Sequence, residues 1–306
     1  MTLTAALFGY SAVLSLAMPR LLGGRWLDRS PRLALTLWHA NAASALLAAT
    51  LATVACFADG EMLRTWPAAP ADGIGAAGMF AATTAALSVP ALLITRLGLA
   101  AIRHLRTWRA EQERHLKLLS LLGRHDHRLG ATVVRIDTPA AYCVPSARRI
   151  VLTSGAITVL GDAELHAVIT HERAHLAGRH HLLVAWAAML RQAFQPLPLF
   201  GQIRHATGQL VELLADDRTT RTIPRDSLAT AIATLSCGRT PAVGLAASGG
   251  SVVTRVERLL APPAPLAIAT RISGVGAALC LTAIPLLVIA VPALFAIDQV
   301  ACPHLF

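Results

Sequence analysis

Four apolar stretches, Leu3–Met18, Leu33–Ala58, Ile74–Thr95 and Ile272–Ile297, occupy the two ends of the chain. Each is about long enough to cross the roughly 30 Å hydrocarbon core of a bilayer, so the pattern predicts three membrane-spanning helices, a charged middle section and a fourth span. The first stretch has no basic region before it, and Pro19-Arg20 follows where a small-residue cleavage site would be needed. It is expected to be a retained span and not a signal peptide.

In the middle section the period changes. From Arg96 to about Leu122 basic positions alternate with Ile102, Leu105, Trp108, Leu116 and Leu119, as expected of a helix leaving the membrane. Ala131–Ile136 and Arg149–Thr153 are rich in β-branched residues and predict two strands of a small sheet. Asp162, after Gly161, can cap a helix running from Ala163 to about His180, and a second helix through Leu210–Asp217 should continue towards Arg221, before Pro224. Leu182–Phe200 is apolar but carries Arg191, Gln192 and Gln195 and is broken by Pro196 and Pro198; a buried or membrane-grazing helix fits it better than a fifth span. Thr240–Ser251, rich in Gly, Ala and Ser, reads as a flexible loop.

The expected fold class is therefore a mainly α polytopic membrane protein, with four transmembrane helices and an inserted α+β domain. Its parts are residues 1–100 with three spans, 101–270 as the inserted domain, and 271–306 with the last span and a short tail. Composition agrees, because 55% hydrophobic residues, 14% charged residues and a mean hydropathy of +0.56 fall outside the range of ordinary soluble domains. The formal charge of +10 is carried almost entirely by Arg without any basic run, so no direct nucleic-acid binding is expected.

Topology explains the arginines better. Arg20, Arg25, Arg29 and Arg32 lie between spans one and two, Arg64 alone lies between two and three, and no Lys or Arg follows span four. With Arg96, Arg103, Arg106, Arg109 and Arg271 at the ends of the inserted domain, the distribution puts that domain on the cytoplasmic side and both termini outside. Asp59, Glu61 and Asp72 then fall in a short outer loop. The five cysteines, Cys56, Cys143, Cys237, Cys280 and Cys302, are far apart and form no C-x-x-C pair, which argues against both a disulfide framework and a thiolate metal site.

The chemistry is concentrated in His171-Glu172-Arg173-Ala174-His175. Histidines four apart share one helix face and can hold a single tetrahedral Zn²⁺, with Glu172 beside the open position as the base that takes a proton from the attacking water. A third ligand is needed, and Glu212 on the following helix is the candidate, one per chain with one Zn²⁺. Asp216, one turn on, can fix a ligand imidazole, whereas Asp217 points elsewhere and is expected in a surface ion pair. Glu164 is the alternative third ligand. His180 and His181 fall off the shared face, and His125, His127 and His205 are in polar surroundings. His39 and Asn41, inside span two, are expected to hydrogen-bond within the bundle. A zinc-binding scaffold without proteolysis, or a bundle with fortuitous histidines, is the competing class. Glu172 argues against both, since a purely structural site has no use for a base.

These residues resemble the BlaR/MecR group of membrane zinc metallopeptidases and, more distantly, the HtpX and CAAX prenyl protease group. The resemblance rests on Ala141-Tyr142-Cys143-Val144-Pro145, Ile150 to Gly155, Asp162-Ala163-Glu164-Leu165, His171 to His175 with Arg179-His180-His181, and Glu212 to Asp217. It implies a gluzincin-type metalloprotease site with His171, His175 and Glu212 on zinc and Glu172 as base. Ala141, Tyr142, Cys143 and Val144 would be an edge with which an extended substrate strand pairs. It also implies a protein or peptide substrate, with a BlaI-type transcriptional repressor among the family's targets; an HtpX-like quality-control protease is the alternative. The antibiotic-sensing members carry a penicillin-binding domain after span four. Here only about nine residues follow Ile297, so β-lactam sensing is not expected.

Overall fold

The computed structural model describes residues 2–58, 74–237 and 245–301. The short loop with Asp59, Glu61, Arg64 and Asp72, the first part of the Gly/Ala/Ser-rich stretch (240–244) and Cys302 lie outside the described residues. Among the described residues, Cys143, Cys237 and Cys280 are free thiols.

The first apolar stretch forms α1 (Thr2–Leu16), which breaks at Ala17 and is followed by the short α2 (Met18–Leu22), with Pro19 near its start. A 3-10 turn at Arg25–Arg29 leads to α3 (Pro31–Ala58). The third stretch and the basic helix predicted after it are one uninterrupted rod, α4 (Ile74–Leu122, 49 residues). Pro90 sits inside it without ending it, and Arg96 marks the change from an uncharged apolar stretch to an amphipathic one. The last stretch is α11 (Ile268–Ala301). Within the described residues, four helices are long and apolar enough to cross a membrane.

Polar groups stitch the spans together where lipid could not satisfy them. Asn41 Nδ2 donates to Leu14 O at 3.1 Å, and Tyr10 Oη donates to Leu281 O at 3.1 Å beside Ser44. His39 differs from the expectation, because neither of its ring nitrogens has a hydrogen-bond partner.

The inserted domain begins with a four-stranded sheet rather than two strands. Its strands are β1 (Gly123–Asp126), β2 (Ala131–Val134), β3 (Ala141–Val144) and β4 (Arg149–Thr153), in the order β1-β2-β4-β3. β2 and β4 are the parallel, buried centre, and β3 is an edge strand paired only with β4, antiparallel, with Tyr142 opposite Val151. After α5 (Ser154–Val159) comes α6 (Asp162–Gly178), the helix with His171 and His175. Its N-cap is Gly161 and not Asp162: the Gly161 N–H donates to Glu164 Oε2 at 2.9 Å, which commits Glu164 to the helix start and removes it as a ligand. Leu165, Val168 and Ile169, spaced by three and four, pack on Ile150 and Leu152 of β4.

The remaining helices are α7 (His180–Ala193), α8 (Pro198–Thr219), α9 (Arg225–Cys237) and α10 (Leu245–Leu260). α7 is the helix expected of the Leu182 region, but only one side of it is buried, and Leu182, Val184 and Trp186 are exposed on the other. Its Ala187 and Leu190 share one core with Leu199, Phe200, Ile203 and Leu210 of α8 and with Leu33, Leu37 and Trp38 of α3. α8 is therefore a bridge, with one side sealed against the spans and the other turned to α6. The loop expected at Thr240–Ser251 is helical from Leu245 onward, because α10 is docked by buried Leu259 against Ala167 and Leu228.

Candidate metal centre

α6 and α8 pack face to face, which brings together residues far apart in sequence. Nε2 of His171 and Nε2 of His175 are 3.1 Å apart, and the Glu212 carboxylate places Oε2 at 3.5 Å from the first and Oε1 at 3.4 Å from the second. These spacings are close to the edge of a tetrahedron, about 3.3 Å, whose corners lie roughly 2.0–2.1 Å from a zinc ion. The donor set fits a metal on charge as well. Glu172, Glu212 and Asp216 face a single guanidinium, that of Arg255, which leaves two negative charges for a divalent cation to meet. Among the described residues this is the one group of three such side chains close enough to hold an ion.

The surroundings hold each donor. Asp216 is 1% exposed and lies with Oδ1 3.1 Å from His171 Nδ1, in ion-pair rather than hydrogen-bond geometry. Burial opposes a charged imidazole at His171, but the Asp216 and Glu212 carboxylates outweigh it and push its pKa up to about 9. For Glu212, burial is likewise outweighed, by His171, His175 and Arg255, and its carboxyl is held far below the usual range. The pocket thus favours positive charge at His171.

Two residues that the sequence did not single out complete it. Arg255, on α10, donates from Nε to Asp216 Oδ2 at 2.8 Å and from a terminal nitrogen to Oδ1 at 2.8 Å, while its other terminal nitrogen lies 2.8 Å from Glu212 Oε2. One fork thereby fixes both Glu212 and Asp216. A usable signal is that Arg255 and Arg258, three apart, share one face of any helix formed there. Arg258 pairs with Asp217 at 2.6 Å, the surface-type ion pair expected for Asp217.

The second residue is His180, whose Nδ1 is 3.1 Å from Nδ1 of His175. Helical spacing put it off the ligand face, yet Arg179 adopts a left-handed conformation (φ 50°) that ends α6 and folds the chain back under it. A side chain at Gly178 would collide with the His180 ring, so only glycine permits this return. Burial, and then the neighbouring His175, lower the His180 pKa to about 4. A neutral His180 can accept from the Nδ1–H of His175, which leaves Nε2 of His175 free to face the metal position. His181 takes no part.

The cleft over the centre holds about 490 Å³ and is walled by Pro139 to Cys143 of the edge strand on one side and by Leu228, Ile232 and Leu235 of α9 on the other. Glu172 is half-buried in it. Of the four edge residues expected to meet substrate, Ala141, Tyr142 and Cys143 border the cleft. Val144 does not: it is buried beneath α4 with Leu119, Val134 and Val151. Burial, followed by the adjacent Glu172 carboxylate, pushes the Cys143 thiol up to about 12, so it is a neutral wall and not a nucleophile.

Residues 109–240 match the model of Peptidase family M48. The match takes in the end of α4, the whole sheet and α5 to α9, and with them His171, Glu172, His175, Glu212 and Asp216. Arg255 and the first two spans lie beyond it. No curated protein and no solved structure matches the chain. The cleft that gathers His171, His175 and Glu212 thus lies within the stretch that is similar to Peptidase family M48, in a chain with several helices apolar enough to cross a membrane.

Proposed function

We propose that the protein is an integral membrane zinc endopeptidase that cleaves an extended segment of a cytoplasmic or membrane-proximal protein. The observation that carries this reading is the convergence of His171, His175 and Glu212 beside Glu172 at the bottom of a cleft walled by an edge strand. Zinc, when bound, polarises the scissile carbonyl and acidifies the attacking water. Glu172 accepts the proton of that water and delivers it to the leaving amine. Asp216 and Arg255 keep His171 and Glu212 in place, and His180 keeps His175. The unpaired edge of β3 offers backbone N–H and C=O groups to a substrate strand, with Ala141, Tyr142 and Cys143 beneath it. A BlaI-type repressor, a substrate class of the group that the sequence resembles, fits a cleft that reads backbone more than side chains.

The purified protein should cleave an unstructured test protein such as casein. Removal of metal with a chelator should abolish that cleavage, and one equivalent of Zn²⁺ should restore it. Cleavage that persists after the metal content has fallen to a few per cent of protein would reject the reading.

The arginine distribution further supports a cytoplasmic location for the domain. A cysteine introduced at Arg114, in a background without native cysteines, should resist a membrane-impermeant thiol reagent applied to intact cells and react after lysis. Labelling in intact cells would reverse the orientation.

A further inference from the structure

A second cavity, of about 360 Å³, lies behind the metal centre, where Gly178 and His180 form part of its wall. Five arginines border it: Arg29 from the 3-10 turn, Arg32 from the start of α3, Arg218 and Arg221 from the end of α8, and Arg271 from the first turn of α11. The one acid among its lining residues, Asp217, is already held by Arg258 through bonds of 2.6 and 3.1 Å. None of the five pairs with a carboxylate of the described residues. Attraction to the C-terminal end of α8 accounts for Arg218 and Arg221, and placement beside the cytoplasmic ends of the spans accounts for basic residues at 29, 32 and 271, but neither requires the five to converge on one cavity. All five are exposed, so solvent screens their mutual repulsion, and an anion seated in the cavity would meet the attraction of all five at once.

The height of the cavity says which anion. Arg32 follows the first residue of one span, Pro31–Ala55, and Arg271 stands at the start of another, Ile268–Val288. The two spans begin side by side, since Leu33 packs so closely over Gly274 that a side chain there would collide with it. The cavity therefore opens at the level where a bilayer carries its phosphates, and basic pockets between spans at that level suit lipid head groups.

We propose that this cavity binds the phosphate of an anionic phospholipid head group. Bound lipid would join α3, α8 and α11 at the point where His180 closes the back of the metal centre, and would so fasten the inserted domain to the membrane surface. The inference rests on the spans and the arginines and is independent of proteolysis.

The test is a titration of the full-length protein, in a zwitterionic detergent, with phosphatidylglycerol, phosphatidylcholine or inorganic phosphate, with bound lipid counted by native mass spectrometry. Phosphatidylglycerol should bind at least about tenfold more tightly than phosphatidylcholine, and Arg218→Gln/Arg221→Gln should remove at least about tenfold of that affinity. Arg32→Gln/Arg271→Gln, which changes the opposite wall, should do the same, so the test survives if one pair fails to fold. Arg124→Gln/Arg128→Gln, on the exposed β1 hairpin, should change nothing. Equal binding of the two lipids would overturn the proposal, as would full affinity in a folded cavity variant. Inorganic phosphate that competes with phosphatidylglycerol at equal concentration would overturn it too, by identifying a site for the free anion.

Discussion

Replacing Arg255 with alanine is expected to destabilise the protein by about 3–5 kcal/mol, the usual cost of removing one partner from a buried ion pair. It should also weaken metal binding, although Arg255 supplies no ligand atom. The size follows from what the guanidinium leaves behind. Asp216 is 1% exposed and has two of its contacts from Arg255, and Glu212 is held by the same fork. Without the fork two carboxylates of α8 repel each other beside His171, and the pocket loses the alignment that matches a tetrahedral ion. Arg255→Lys keeps the charge but not the planar fork and should fall between. Arg258→Ala is the comparison: Asp217, its partner, is 37% exposed, so the loss should be only about 1 kcal/mol. Melting in detergent together with zinc content per chain measures both effects. An Arg255→Ala protein that melts no lower than Arg258→Ala and keeps its zinc would remove Arg255 from the centre.

The convergence of His171, His175 and Glu212 is legible in the sequence, because helix geometry alone dictates that His171 and His175 share a face and because Glu212 and Asp216 recur at the same four-residue interval. The spans were legible for a similar reason, since length and apolarity decide them locally. What escaped was decided by tertiary contact. β1 (Gly-Arg-His-Asp) has no apolar signal, and its strand exists because Asp126 Oδ1 accepts from the N–H groups of Arg128 and Leu129 and turns the chain back onto β2. α10 is hidden by the glycines and serines of its first turns, a composition of loops, and is held by Arg255, Arg258 and Leu259 reaching partners on α8, α9 and α6. Helical spacing places His180 off the shared face, but that spacing stops applying at a left-handed Arg179. Val144 belongs to the edge segment expected to meet substrate, but alternation along a strand sends it to the opposite side from Cys143.

The largest loss of activity is expected for Glu172→Gln. Gln is nearly the size of Glu and can still hydrogen-bond a water in the cleft, but it cannot take a proton. Turnover should therefore fall by at least the roughly 10²–10⁴-fold typical of a lost general base. Glu172 contributes no atom to the group formed by His171, His175 and Glu212, so the metal site should survive. His171→Ala should behave differently and lose metal and activity together, since two donors make a poor cage. Zinc content and casein cleavage measured on the same preparation of Glu172→Gln therefore test the central claim most directly. The account predicts one zinc per chain and almost no cleavage; one zinc per chain with cleavage near the wild-type rate would contradict it.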